Sequence, residues 1–181
     1  LTSKSIELSV HLGNSGLGAS SIHFIDLFCW LNNDYDIKLN GEYLFDKIHT
    51  SKRGKQFKEF AGTIVGSNKS CSFLTISTHN NQSIPPSVIV EIYDGKKHIV
   101  INELEEKFYY LSNFKKSPKI SFKFNHVSEL TYNIVQDIFK TNSCILPTLE
   151  DSFYAHLELF RIFNKHLSKH FHYKAQKCPI T

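Results

Sequence analysis

Several things are missing from this sequence, and each absence narrows what the chain can be. There is no methionine, not even an initiator, which fits a piece cut from a longer protein. No apolar run approaches the roughly 18 residues that a membrane helix needs; the longest are broken at His23, Asp26 or Asn32. The opening LTSKSIELSV has no signal-peptide core and reads as a strand. Internal repeats and low-complexity segments are absent. The four cysteines, Cys29, Cys71, Cys144 and Cys178, form no C-x-x-C pair. That spacing fits reduced thiols in the cytoplasm better than a zinc knuckle or a disulfide framework, although two disulfides stay open on spacing alone. A net charge of +4 does not demand nucleic acid or an acidic membrane, and neither is expected as a partner.

What is present suits one domain over 1–181. The chain is 41% hydrophobic, with fifteen Phe and eight Tyr to fill a core. Residues 5–12 alternate apolar with polar, as a half-buried strand does. A glycine loop, GNSGLG, leads into an apolar helix from about Ala19 to Leu31, stopped by Asn32, Asn33 and Asp34. Strands are expected at 43–48, 57–65, 71–78, 87–93, 97–102, 107–111 and 119–124. Asp94-Gly95 marks a tight hairpin. In KISFKF, Ile120, Phe122 and Phe124 should be buried and the lysines exposed. A helix over 126–140 places Val127, Leu130, Ile134 and Ile138 on one stripe. A second, over 149–170, begins at the N-cap Thr148 with Asp151 three positions on; its stripe is Phe153, Leu157, Phe160 and Leu167. Strand, helix, many strands, two helices: this order predicts an α+β fold, an open, mainly antiparallel β-sheet with helices packed on one face.

The loop Gly13-x-x-Gly16-x-Gly18 is tempting as a dinucleotide site, with Asp34 and Asp36 at about the distance of a ribose-binding acid. Its spacing reverses the fingerprint, whose first two glycines are the close pair. The parallel-sheet alternation of helices and strands is also absent. The reading preferred here is steric: the glycines let the chain enter the helix closely packed.

The segment Gly16–Leu31, with His23 and Asp26 spaced as H-x-x-D, resembles the glycine loop and first helix of the C-terminal domain of the glucose-fructose oxidoreductase and inositol dehydrogenase (Gfo/Idh/MocA) family. Leu146–His156 resembles the P-x-x-E entry to that family's late helix, and Cys178-Pro-Ile-Thr181 the ending of a bacterial subgroup found near polysaccharide genes. The resemblance implies half of an NAD(P)-dependent oxidoreductase for a sugar or nucleotide-sugar. The N-terminal Rossmann domain, which would hold NAD or NADP and a catalytic Lys, has no counterpart in these residues. No cofactor and no turnover are therefore expected of this fragment alone. The resemblance also implies a homo-oligomer paired through the open sheet. His23 would carry the active-site His, with Asp26 on the same helix face to orient its ring; the ordinary alternative is a His–Asp pair that only satisfies itself. Ala19 departs from the pattern, since many members have Asp there. Ser20 or Ser21 would offer a hydroxyl instead. Ala19 favours a rival reading, a non-catalytic ligand-binding or pairing module of the same fold.

Three further features read as structural. His166, His170 and His172 look like a solvated cationic helix end rather than a metal site, and no metal is expected. Lys52, Arg53, Lys55 and Lys58 read as a solvated loop, with a substrate phosphate or nucleic acid as the lesser alternatives. Trp30 reads as core rather than as a platform for a sugar.

Overall fold

The computed structural model describes residues 5–79, 83, 85–125, 127–171 and 177–180. Strand β1 (Glu7–Leu12) is followed by helix α1 (Leu17–Asn32), then β2 (Lys38–Leu44), β3 (His49–Thr50), β4 (Lys58–Glu59), β5 (Gly62–Ser67) and β6 (Phe73–Thr78). Next come β7 (Val88–Tyr93), β8 (His98–Asn102), β9 (Lys107–Ser112), β10 (Lys115–Lys116) and β11 (Ile120–Ser121). Helices α2 (Val127–Thr141) and α3 (Leu149–Phe171) close the chain. The main sheet runs β10-β9-β8-β7-β1-β6-β5-β2, with β11 also on β9. Every pairing in it is antiparallel except β1 with β6. This is the open, mainly antiparallel α+β sheet that the element order predicts. β3 and β4 form a separate two-stranded ribbon.

Period-two alternation decides the faces. Leu8, Val10, Leu12, Ile64, Leu74 and Ile76 point to one side and are buried. Ser9, Val65, Thr75 and Ser77 point to the other. On the buried side lie α1, through Leu17, Ile25 and Phe28, and α3, through Leu159, Ile162 and Phe163. α1 ends as its asparagines predict: Asn33 takes the left-handed conformation at φ 48°, and Asp34 N–H bonds back to the Cys29 carbonyl at 3.1 Å. The β7–β8 hairpin also turns at Asp94-Gly95, where Gly95 has φ +81° and the Asp94 carboxylate accepts the N–H groups of Lys96 and Lys97 at 2.9 and 2.8 Å.

Several expectations fail, each for a nonlocal reason. The strand expected at 43–48 lies earlier, at Lys38–Leu44, because Asn40-Gly41 is a bulged strand position and not a turn. Gly41 is small enough for Ile162 of α3 to sit against it. Glu158 accepts Leu39 N–H at 3.2 Å, so α3 also covers this edge strand. The run at 57–65 is two strands, parted at Phe60-Ala61; β5 opens on Gly62, whose φ of +110° and the Tyr43 carbonyl beside it exclude any side chain. The 119–124 run pairs only at Ile120–Ser121, and Ile120 and Phe124 are exposed. On α2, Leu130 and Ile138 are exposed and no described residue is buried, since α1 and α3 already occupy the sheet centre. The side chain of Val127 lies outside the described residues.

The α3 stripe is rotated from the expected one, which keeps Leu167 buried and Phe160 half-buried. Its buried arc is Ala155, Leu159, Ile162, Phe163, His166 and Leu167, while Phe153 and Leu157 are exposed. His166 is therefore a core residue and not part of a solvated end. Its ring meets Phe60 edge-on, burial followed by neighbouring His170 holds its pKa low, and Nε2 has no hydrogen-bond partner. His172 lies outside the described residues. Trp30 is 56% exposed, on the side of α1 turned away from the sheet, which corrects its reading as core. All four cysteines are free; burial pushes the thiols of Cys29 and Cys178 up to about 12. No described helix is long and apolar enough to cross a membrane.

Candidate functional site

The start of α1 is where the glycines act. A helix begins with backbone N–H groups that have no partner inside the helix. Here Leu17 N–H bonds to the Phe60 carbonyl at 3.0 Å, and Gly18 N–H to Glu59 Oε2 at 2.8 Å, with Ala19 N–H at 3.4 Å from the same oxygen. The cap is thus a buried carboxylate delivered from β4, some forty residues away. A Cβ on Gly16 would collide with that carboxylate, and one on Gly18 would press on it and on the Lys58 carbonyl, both at 3.0 Å. The tail completes the enclosure. Lys58 N–H bonds to the Pro179 carbonyl at 2.6 Å, and Ile180 packs beside Gly18. Burial pushes the Glu59 pKa up; the Gly18, Ala19 and Phe60 N–H groups and Arg53 pull it back.

This geometry answers the dinucleotide question. The place where a helix N-terminus would receive a phosphate is filled by the protein's own carboxylate. The glycine loop of this chain does not fit a nicotinamide dinucleotide, and the steric reading of its glycines holds. Glu59→Ala should destabilise the fold by about 1–2 kcal/mol, because Gly18 N–H would lose its partner. Urea titration at neutral pH measures it; a midpoint unchanged from the parent would remove Glu59 as the cap.

One turn into α1, Ala19 and Ser20 form one wall of a cleft of about 430 Å³. The opposite wall is the β3–β4 ribbon, with His49, Thr50, Ser51, Lys52 and Arg53; Glu59 lies at the back. Burial, then the Lys47 charge, holds the His49 pKa low. Ser20 reaches this cleft, whereas Ser21 points into the core with its hydroxyl unpartnered. Of the two hydroxyls suggested in place of an Asp at position 19, only that of Ser20 faces a ligand space.

His23 follows Ala19 by four residues, on the same helix face, and is exposed. Asp26 is half-buried between α1 and α3, and its Oδ1 is buried with no hydrogen-bond partner. Burial raises its pKa, opposed first by His156 and then by His23. The structure therefore brings His23 and Asp26 together electrostatically, without the hydrogen bond that a self-satisfied pair would make. It adds His156 of α3, which no spacing in the sequence singled out. His156 Nδ1 lies 2.7 Å from the Ser152 carbonyl. A carbonyl only accepts, so Nδ1 carries the proton and Nε2 is left to its surroundings. The one available signal was that His156 ends the late-helix motif. Among the described residues no three His, Cys, Asp or Glu side chains converge as a metal site.

No family model matches the sequence, and no curated protein matches it. Solved structures do match in fold. A UDP-N-acetylglucosamine 3-dehydrogenase from Acidithiobacillus ferrooxidans superposes with a TM-score of 0.58 at 8% identity, over 86% of this chain and 51% of that one. A 3-ketoreductase from Actinomadura kijaniata, solved with TDP-benzene and NADP, superposes with a TM-score of 0.58 at 9% identity, over 87% of this chain and 51% of that one. The chain thus spans about half the length of the structures it matches, and it has the fold of that half. The fold expected from the oxidoreductase-family resemblance is the fold observed.

Proposed function

We propose that this chain is the substrate-binding half of an NAD(P)-dependent oxidoreductase acting on a sugar or nucleotide-sugar in the cytoplasm. The observation that carries the reading is the superposition of nearly the whole chain on half of two enzymes of that kind. The position of His23, one turn beyond a polar cleft and beside Asp26, supports it. Oxidising a carbinol requires a group that accepts the hydroxyl proton, and a histidine titrates in the working range. The nicotinamide would supply the hydride acceptor; its phosphates belong to residues other than this glycine loop. The test is hydride transfer by the longer protein, with UDP-N-acetylglucosamine as the first substrate and nicotinamide absorbance as the readout. Reduction that stays at the background rate with every sugar and nucleotide-sugar offered would sink it.

Ala19 supports a second reading. It lines the cleft where the family pattern places a carboxylate. On this reading the same cleft binds a ligand, and the chain pairs, without turnover.

Both readings include a homo-oligomer formed through the open sheet face. That face carries Val65, Ile89, Val100 and Tyr109 among polar groups, with Ser9 and Thr75 bonded to each other at 2.8 Å and Glu91 paired with His98 at 3.2 Å. Among the described residues no element covers it, and a two-fold axis would make it self-complementary. Sedimentation should show a dimer, and Val100→Arg should shift it to monomer with the melting temperature of the monomer intact. A parent chain that sediments as a monomer at high concentration counts against the pairing.

A further inference from the structure

We infer that the cleft between the glycine loop and the β3–β4 ribbon is a phosphate-reading subsite, in which Lys52 and Arg53 hold the phosphate of a nucleotide-linked or phosphorylated sugar. The inference rests on the oxidoreductase reading for the sugar, and on the cleft itself for the phosphate. Among the described residues Lys52 and Arg53 make no ion pair, although both line the cleft. Elsewhere on this surface exposed cations do find carboxylates, as Lys69 does with Asp36 and Lys119 with Glu105. The one acid in the lining is Glu59, whose Oε2 is turned into the α1 N-terminus. Two cations against one carboxylate leave the lining net positive by one charge, before His49 is counted.

The ribbon that carries the cations is held in place. Ser51 N–H bonds to the Phe57 carbonyl at 3.0 Å, Phe57 N–H to the Gly54 carbonyl at 3.0 Å, and Gly54 N–H to the Ser51 carbonyl at 3.3 Å. Arg53 N–H donates to Ser51 Oγ at 3.2 Å, so the Ser51 hydroxyl keeps its own proton for an acceptor. Gly54 turns the chain at φ +145°. A backbone already ordered by these bonds does not have to be ordered on binding, and an Arg fork matches two phosphate oxygens at once. The hydroxyls of Ser15, Ser20 and Thr50 are also in the lining and supply further donors. No Phe, Tyr or Trp is among the described lining residues, so the cleft lacks the broad stacking surface that single-stranded nucleic acid uses. A volume of about 430 Å³ suits a small ligand. Phosphate bound at the ribbon would place an attached sugar along Ala19 and Ser20, toward His23.

The probes are UDP, glucose 1-phosphate and uridine, titrated calorimetrically into the 181-residue chain at low salt. UDP should bind and uridine should not, and affinity should fall as salt rises. Replacing both Lys52 and Arg53 by Ala should weaken UDP at least tenfold, with an unchanged thermal melt; Lys55→Ala, outside the lining, should leave binding as it was. Glucose 1-phosphate binding as tightly as UDP would locate the phosphate on the sugar itself, and a clear preference for UDP would locate it on the nucleotide. Uridine equal to UDP, full binding by the double variant, or no binding of either phosphate would overturn the subsite. Turnover of a neutral free sugar by the longer protein, with no phosphate binding, would remove the subsite and leave the oxidoreductase reading standing. Phosphate binding without any turnover would do the reverse.

Discussion

Phe163→Ala should cost the fold about 3–5 kcal/mol, as large a loss as a single truncation in this core is expected to give. Phe163 is fully buried, and its ring stacks on Phe60 with centroids 4.2 Å apart and planes 8° from parallel. Phe60 is also fully buried, and its carbonyl takes the first free N–H of α1. The ring pair therefore joins α3, the start of α1 and the β4 ribbon at one point. Removing one ring leaves a cavity that three elements would have to close together, and such a site relaxes poorly. Phe163→Leu should cost much less, because most of the volume remains. Guanidinium unfolding gives the comparison, with Phe153→Ala as the internal reference. Phe153 is half-exposed on the opposite arc, so its loss should stay within about 0.5 kcal/mol. Equal losses at Phe153 and Phe163 would mean that α3 is rotated from the position described.

That comparison also marks the limit of sequence periodicity. Two apolar arcs run along α3. The arc through Phe153, Leu157, Phe160 and Leu167 is rich in aromatics and reads as the core stripe, and only its last member is fully buried. The arc that is buried contains Ala155 and His166, a small residue and a polar one, which lower its apparent hydrophobicity. What selects between them is the partner: Gly41 admits Ile162, and Phe60 receives Phe163. Neither contact is visible within the helix. Features set by neighbours in sequence were legible, namely the Asp94-Gly95 hairpin, the Thr148–Asp151 capping box and the asparagine stop of α1. The sheet was legible as well, because strand alternation is local. Its first long edge strand was misplaced, because Asn40-Gly41 has the composition of a turn and only tertiary packing makes it a strand.

The candidate site divides in the same way. His23 and Asp26 were legible because the motif is contiguous and helical spacing puts both on one face. The glycines were legible as a steric requirement, but the Glu59 carboxylate that imposes it was not. Lys52 and Arg53 were visible as a basic cluster; the ribbon that turns them into the wall of a cleft was not. His156 meets Asp26 only because α1 and α3 pack side by side.

Asp26→Asn should stabilise the isolated chain at neutral pH, and with His23→Ala it should cripple the longer protein. The stability sign follows from linkage. Burial raises the folded pKa of Asp26 above its unfolded value, against the pull of His156 and His23. A group of this kind favours the fold most below its unfolded pKa, and that contribution is lost as pH rises through the folded pKa. At neutral pH the ionised carboxylate, with Oδ1 buried and unpartnered, is therefore a cost to the fold. Asn removes the charge at nearly constant shape. The gain should be about 1 kcal/mol, kept small by solvent screening of a half-buried group. It should fade as pH falls through the raised folded-state pKa, and vanish below the unfolded-state value of about 4. Melting curves of the two proteins across that range decide the point; a variant less stable at every pH would mean that Asp26 is a structural partner. In the longer protein, His23→Ala should lower kcat by roughly 10²–10⁴ with KM little changed, the range for losing a general acid–base group. Asp26→Asn should lower kcat less and shift its pH profile, since it acts through the ring of His23. A carboxylate that weakens the fold and sharpens the chemistry is the pattern of a site residue. A structural pair would show the opposite, with stability lost and the pH profile unmoved.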